Sequence, residues 1–482
     1  MEKIYTLTGT RIRELVAKKE VSATEVTQAT IDRIKATDDK LEAYITYNFD
    51  AALEKAKAVD KKIADGEKLG KMAGIPIAVK DNMCTYNLRT TAASKILGNF
   101  IPPYNATVVE RLSDNDAIII GKTTMDEFRM GSSGENSAFQ KAKNPWDTTR
   151  VPGGSSAGSA ATVAGCQVPV ALGSDTGGSI RQPASLCGIV GLKPTYGSVS
   201  RYGLIAYASS LDQIGPMART VDDTAMVFDT ICGRDPRDAT SKNYVFGGYG
   251  ADVKGLKLGI PKEYFGDGIN AEVKEVIYRA VDKLKELGAE IVEISLPSTE
   301  YALSAYYIIA CAEASSNLGR FDGVKYGFRG SDSSSLENLY LSSRSEGFGY
   351  EVQRRIMLGS YVLSSGFYDA YYKRAKVLQK QISKEFQDAL QQCDAIITPL
   401  SPTTAFKFGE KMDDPLEMYA ADICTITLNI AGLPGISVPC GFDSKGLPIG
   451  FQAIGGKFNE STLLTIAKCY ENAVGGFAIK EF

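Results

Sequence analysis

Two serines each follow a pair of glycines, Gly153-Gly154-Ser155 and Gly177-Gly178-Ser179, inside one stretch from Val151 to Thr195 that crowds glycine and serine around two short apolar runs. Glycine supplies left-handed or close-approach backbone that side chains resist, so each pair marks a tight turn that delivers a serine. A serine hydroxyl becomes a strong nucleophile beside a base, yet the chain has no histidine at all. That excludes a Ser-His-Asp triad, a Cys-His dyad and any imidazole metal ligand, and leaves lysine as the natural base. Lys80, which ends the apolar run Ile75 to Val79 in AGIPIAVKDN, is the candidate. At the end of a central strand it would be desolvated, and its amine would lose charge and accept a proton. At the end of an exposed strand it would be an ordinary lysine paired with Asp81.

The elements that must hold these residues can be traced around them. The first turn runs into a helix from Ser156 to Ala164, the second into a helix from Ile180 onward, and Val168 to Leu172 reads as a buried strand between them. A turn that opens a helix leaves unpaired N–H groups and the positive end of the helix dipole at one spot, which is what a developing oxyanion needs. Two other readings of the stretch are a flexible Gly/Ser linker and a phosphate cradle. The embedded apolar runs oppose the first, and the stretch lacks both GxGxxG and GxxxxGK[ST].

Outside this stretch, residues 1–66 read as three amphipathic packing helices, the second opened by a capping box at Ser22 and Glu25. Residues 67–482 form the main body, interleaved with that segment as one structural unit. A strand from Ala117 to Gly121 leads into KTTMDEFRMGSSGENSAF, where Gly131, Ser132 and Ser133 would line a pocket or belong to a surface loop. SRYGLIAYASSLDQIGPMART reads as further framework. From Leu256 the pattern is strand, helix (Ala271 to Leu287, stopped by Gly288) and strand (Ala289 to Ile294), a βαβ unit and hence an α/β fold. Residues 301–320 and 346–392 are helical in period, with one long helix from Tyr368 to Gln391. A strand at Ala395 to Thr398, two more in AGLPGISVPCG and LPIGFQAIG, and a closing helix from Ser461 to Tyr470 complete the chain.

Composition bounds the function. Across 482 residues, 54 basic against 57 acidic side chains give a net charge of −3, so no global basic field holds nucleic acid without a partner. Nine scattered cysteines, an odd number with no CxxC pair, fit neither a disulfide framework nor a zinc site and point to a reducing cytoplasm. The first residues are charged throughout and no run approaches the roughly 18 apolar residues of a membrane span, so a soluble, unprocessed cytoplasmic protein without a membrane partner is expected.

Taken with GGSSAGS, GSDTGGSIRQP and GLKPT, the residues Lys80, Ser155 and Ser179 resemble the amidase signature family, and the resemblance runs from AVKDN to AGLPGISVPCG. Within that family NPWD, VGLKPTYGSVSRYGLIAYASSLDQIGP, EASSNLGRFDGV and SSGFYDAYYKRA are similar to the glutamine-hydrolysing subunits of tRNA-dependent amidotransferases. The resemblance implies a single large α/β domain with a central mixed β-sheet flanked by helices. It implies Ser179 as nucleophile, Ser155 as the bridge that passes its proton, neutral Lys80 as base, and a cis Gly154–Ser155 peptide. The N–H groups of Thr176, Gly177, Gly178 and Ser179 would hold the oxyanion.

No metal or cofactor is implied in this chain. ATP and Mg would serve a partner, the B subunit of such a complex, which amidates misacylated Glu-tRNA(Gln) to Gln-tRNA(Gln) with the ammonia released from glutamine; a small C subunit completes the assembly. Selectivity for free glutamine requires partners for an α-carboxylate and an α-ammonium. Similarity points to Arg355 and Asp422, with Tyr306 beside them; an ordinary salt bridge between helices is the plainer reading of that pair. Three positions depart from the family pattern: Arg129 and Gly134 stand where alanine and threonine are expected, and Ala157 where glycine is usual. Two alternatives stay open, a free-standing amidase acting on small amides and a non-catalytic binding protein that merely uses glycine-rich turns.

Overall fold

Runs of Ile, Val and Ala that are apolar at every position, rather than at alternate ones, make strands covered on both faces. The computed structural model describes residues 3–482. In chain order its strands are β1 (Tyr44–Tyr47), β2 (Pro76–Lys80), β3 (Ile118–Thr123), β4 (Val170–Asp175), β5 (Val190–Lys193) and β6 (Gln213–Ala218). They are followed by β7 (Lys257–Pro261), β8 (Glu290–Ile294), β9 (Ala395–Pro399), β10 (Gly435–Phe442) and β11 (Pro448–Gly455). All join one mixed sheet in the order β1-β3-β2-β4-β6-β5-β10-β11-β9-β7-β8, flanked by helices in a single α/β domain.

β2 lies parallel between β3 and β4, with Ile77 opposite both Ile119 and Val170. β9, β7 and β8 are parallel at the far end, and the central pairings are antiparallel. β7 and β8 are joined by the helix Ala271–Glu286, capped by Asn270 and buried along Val273, Val276, Ile277, Ala280 and Leu284. It ends before Gly288, whose φ of +99° only glycine adopts easily. The unit is thus the expected βαβ.

Four local expectations need correction. Residues 1–66 are not helices alone: the helices Ala23–Leu41 and Phe49–Ala64 enclose β1, which pairs antiparallel with β3. The segment YITY is aromatic and β-branched, and Tyr44 is buried with its hydroxyl 2.7 Å from Thr162 Oγ1. The stretch read as framework contains β6, and β5 precedes it. β4 runs to Asp175 rather than ending at Leu172, so the strand delivers an aspartate directly to the second serine turn. The long helix does not start at Tyr368; a π turn at Tyr368–Tyr372 precedes Lys373–Ala389. By contrast the Ser22–Glu25 capping box forms as read, with reciprocal bonds of 3.0 and 2.8 Å.

Two large clusters of buried apolar side chains pack the sheet, one beneath the N-terminal helices and the helices Val221–Ile231 and Glu460–Ala473. The other lies among Ala302–Leu318, Tyr350–Leu363 and Lys373–Ala389. Among the described residues, no helix is long and apolar enough to cross a membrane.

Candidate active site

Because β3, β2 and β4 are parallel neighbours, their carboxyl ends share one edge, and the segments that leave them converge there. Lys80 ends β2, Asp126 and Ser132 follow β3, and the Thr176–Ser179 turn follows β4. Every residue from 151 to 195 is buried, so the glycine-serine stretch is no linker.

Successive strand residues face opposite sides, which separates Lys80 from Asp81. Asp81 turns to the Thr91 N–H (2.9 Å) and to Lys122 (3.8 Å), while Lys80 Nζ lies 2.8 Å from Ser155 Oγ, 2.9 Å from Ser156 Oγ and 3.3 Å from the Ser174 carbonyl. Burial, reinforced by the nearby Arg129 guanidinium, pushes the Lys80 amine well below the usual lysine range, against the pull of Asp126, Asp175 and Asp212. A neutral amine has two N–H donors and one lone pair. The Ser174 carbonyl and Ser156 Oγ accept the two protons, and the lone pair is left for the Ser155 hydroxyl.

Ser155 is held by a turn that only glycine can make. Gly153 has φ +83°, the Gly154–Ser155 peptide is cis, and a Cβ at Gly154 would strike the Asp126 carboxylate and stand 2.8 Å from the Ser133 nitrogen. Asp126 in turn accepts the N–H groups of Gly134 (3.0 Å) and Asn136 (3.1 Å), and burial raises it to about 6. The second turn hangs on Asp175. Its carboxylate accepts the Gly178 N–H (2.8 Å), the Ile180 N–H (3.2 Å), the Arg181 fork (3.0 and 3.1 Å) and Asn429 (2.8 Å). Burial alone would raise Asp175; Arg181, Lys193 and Asn429 override it and bring it to about 2.

The N–H groups of Thr176, Gly177 and Ser179 have no acceptor among the described residues, whereas that of Gly178 is committed to Asp175. Gly178 therefore shapes the turn, with φ +132°, rather than offering a free donor to an oxyanion. The Ser179 hydroxyl makes no hydrogen bond among the described residues. The two serine turns are joined instead by the Ser156 N–H, which donates to the Ser179 carbonyl at 3.1 Å.

Arg355 and Asp422 are both buried and do not form the salt bridge of the plainer reading. The Arg355 guanidinium donates through Nε to Glu351 (2.7 Å) and through Nη1 to the Tyr207 hydroxyl (2.7 Å). Asp422 Oδ2 accepts Ser132 Oγ (2.8 Å) and the Tyr307 hydroxyl (2.9 Å), and burial pushes its carboxyl up to about 6 against those bonds and Arg355. Arg355 Nη2 and Asp422 Oδ1 are bonded to no described residue. Tyr306 packs on the oxyanion turn, since a Cβ at Gly177 would stand 2.5 Å from its Cζ and hydroxyl oxygen. Thr425 Oγ1 bonds the carbonyls of Gly177 (2.6 Å) and Asp422 (3.0 Å). A cavity of about 490 Å³ opens beside this region, lined by Gly131, Asn136, Glu351 and Arg354 among others.

Reading the sequence missed Asp175, Asp126, Tyr207, Tyr307 and Glu351. Only Asp175 carried a local signal, an aspartate immediately before a Gly-Gly turn, where its side chain caps the following N–H groups. Two of the three departures prove to be one exchange of volume: a Cβ at Gly134 would stand 2.5 Å from the Ala157 methyl, so Ala157 fills the space that Gly134 vacates. The third, Arg129, pairs with buried Asp212 at 2.8 Å. Among the described residues no group of acidic or cysteine side chains is arranged to hold a metal ion.

Known proteins share this architecture. The chain is 55% identical over 97% of its own length and 97% of the other's to the A subunit of the glutamyl-tRNA(Gln) amidotransferase of Desulforamulus reducens. It is 56% identical to that of Thermoanaerobacter pseudethanolicus, covering 98% of this chain and 97% of the other. The crystal structure of the corresponding A subunit from Thermotoga maritima superimposes with a TM-score of 0.82 at 41% identity, covering 100% of this chain and 99% of that one. With a family model for amidases matching residues 25–464 around a histidine-free lysine–serine centre, the chain belongs to the amidase family.

Proposed function

We propose that the chain is the glutaminase subunit of a tRNA-dependent amidotransferase. One observation carries the reading: a buried lysine is hydrogen-bonded to Ser155, and the Thr425 hydroxyl ties the Gly177 carbonyl of the second serine turn to the Asp422 carbonyl, with Asp422 and Arg355 oppositely charged and not paired with each other. In this mechanism the carboxylate of glutamine meets Arg355 Nη2 and its ammonium meets Asp422 Oδ1, with Tyr306 between clamp and turn.

Ser179 Oγ attacks the carboxamide carbon while its proton passes to Ser155 Oγ, whose own proton moves to Lys80 Nζ. The free N–H groups of Thr176, Gly177 and Ser179 receive the oxyanion. When the C–N bond breaks, the nitrogen takes the proton back from the relay and leaves as ammonia. Water then attacks the acyl group on Ser179, loses its proton to the same relay, and releases glutamate.

The near-full-length similarity to proteins named as A subunits supports assembly with two partners, the B and C subunits. In that assembly the B subunit uses ATP and Mg to activate Glu-tRNA(Gln) and amidate it with the ammonia, in the cytoplasm. The net charge of −3 is consistent with tRNA contacts made mainly by the partner.

The test uses the assembled complex. Arg355→Ala and Asp422→Ala each weaken glutamine-driven amidation by about 2 to 4 kcal/mol, as when a buried charge loses its counterpart, while amidation driven by added ammonium survives. Equal loss of both activities refutes the clamp. Hydrolysis of small amides by a chain that captures no partner favours the free-standing amidase instead.

A further inference from the structure

One cation lies inside the site without joining the proton relay. Arg129, in the turn after β3, is buried with φ +71°, and Phe128 before it has φ +47°. Two successive non-glycine residues hold left-handed backbone only where the surrounding structure fixes them. Here Arg129 Nη2 donates to Asp212 Oδ2 at 2.8 Å and to the Ile205 carbonyl at 2.6 Å, and Nη1 has no acceptor among the described residues. Asp212, just before β6, also accepts the Thr176 hydroxyl (2.8 Å) and the N–H groups of Tyr207 (3.0 Å) and Ala208 (3.2 Å). One ion pair therefore anchors a member of the oxyanion turn and the backbone of Tyr207, whose hydroxyl receives Arg355.

Both members of that pair act on the Lys80 amine through their charge, Arg129 disfavouring its proton and Asp212 favouring it. Of the other charges around it, Asp175 is matched by Arg181 and Lys193 and Asp81 by Lys122 on β3, whereas Asp126, held only by the backbone N–H groups of Gly134 and Asn136, is raised by burial to about 6. The Arg129–Asp212 pair, whose guanidinium keeps one N–H unpartnered among the described residues, is therefore, with Asp126, one of the charge balances that act on the base.

We propose that Arg129 is a positioning residue of the hydrolytic site, holding Asp212 under the Thr176 turn and setting, with it, the charge that Lys80 faces. The proposal rests on the reading of Lys80 as the base. Its signature is a pair of opposite effects. Losing Arg129 leaves an unmatched carboxylate, which favours protonated Lys80; losing the Asp212 charge leaves an unmatched guanidinium, which disfavours it.

The experiment is the pH profile of kcat, at saturating glutamine, for hydrolysis by the assembled complex; with Asp422 occupied by the substrate ammonium, its acid limb reports the base in the enzyme–substrate complex. Arg129→Met moves the acid limb up by about one pH unit, roughly a tenfold loss on its acid side, and Asp212→Asn moves it down. Arg129→Lys, which keeps the charge, leaves the limb in place, and the double variant Arg129→Met/Asp212→Asn returns it toward the parent position. Uniform rate losses with an unmoved limb, or an Arg129→Lys limb displaced as far as that of Arg129→Met, overturn the proposal. Lys80→Met separates the two levels. If the acid limb persists in that variant, the assignment of Lys80 as base fails; if the limb vanishes there but stays fixed in the Arg129 and Asp212 variants, only the present proposal fails.

Discussion

Replacing Lys80 by methionine is expected to reduce glutamine hydrolysis to a small residual rate without an acid limb and, near neutral pH, to stabilise the fold. The unfolded chain binds a proton at this lysine below about pH 10.5, and the folded chain, with its amine pushed well below that value by burial, does not. The unfolded state therefore carries more protons, and the stability of the parent protein rises with pH across this window. Each pH unit below the unfolded value costs the parent about 1.4 kcal/mol, until the folded amine itself takes the proton. The variant escapes that cost. Against it stand the contacts of Nζ with Ser155, Ser156 and the Ser174 carbonyl, about 1 kcal/mol each and independent of pH. The carbonyl is not orphaned, because Ser156 Oγ still donates to it at 3.2 Å. Denaturant unfolding of both proteins at intervals from about pH 7 to about pH 10 gives the stability difference; the variant's advantage must shrink as pH rises, at up to about 1.4 kcal/mol per unit. A difference that stays flat would mean that Lys80 is charged in the folded protein, and the relay would lose its base.

Ser179→Ala abolishes hydrolysis with its unfolding transition unchanged, and Ser155→Ala lowers kcat by several orders of magnitude at a cost of only about 1 kcal/mol in stability from its lost bond to Lys80; substantial turnover by purified Ser179→Ala would remove it as the nucleophile. Asp422, raised to about 6, must be ionised to hold an ammonium, so KM for glutamine rises as pH falls through about 6 and is restored above it. In Asp422→Asn, steady-state kinetics across that range should find a high KM with no such inflection.

What could be read without the structure was whatever local chemistry writes into adjacent residues. The Gly-Gly-Ser turns, the strand-end lysine and the lack of histidine pointed to Lys80, Ser155 and Ser179, of which the structure bonds Lys80 to Ser155, and helical periodicity gave the βαβ unit. The strands β5 and β6 were obscured by the glycine and proline that central strands usually avoid, Gly191, Gly215 and Pro216. Their reason is tertiary: a Cβ at Gly215 would collide with the Leu192 carbonyl of the neighbouring strand. β1 spans four residues, too short for a period to register. Asp175 draws on Asn429, and Asp422 on Ser132 and Tyr307, from distant parts of the chain. Nothing near a buried charge in the sequence announces partners of that kind.

The place of β10 and β11 in the sheet sets an order on how the protein can be made. They are the last strands translated, yet they sit in the middle, with Ile436 against Leu192 of β5 and Phe451 against Pro399 of β9. A nascent chain that has not reached Gly435 already carries Lys80, Ser155 and Ser179, but β5 and β9 each present a bare edge, ready to pair with another unfinished chain. The sheet closes only once the chain has passed β11, at Gly455, and it closes by joining two halves already made rather than by adding to one. Deletions that remove β10 or β11 should therefore damage solubility, although the proposed site residues Lys80, Ser155, Ser179, Arg355 and Asp422 all precede them.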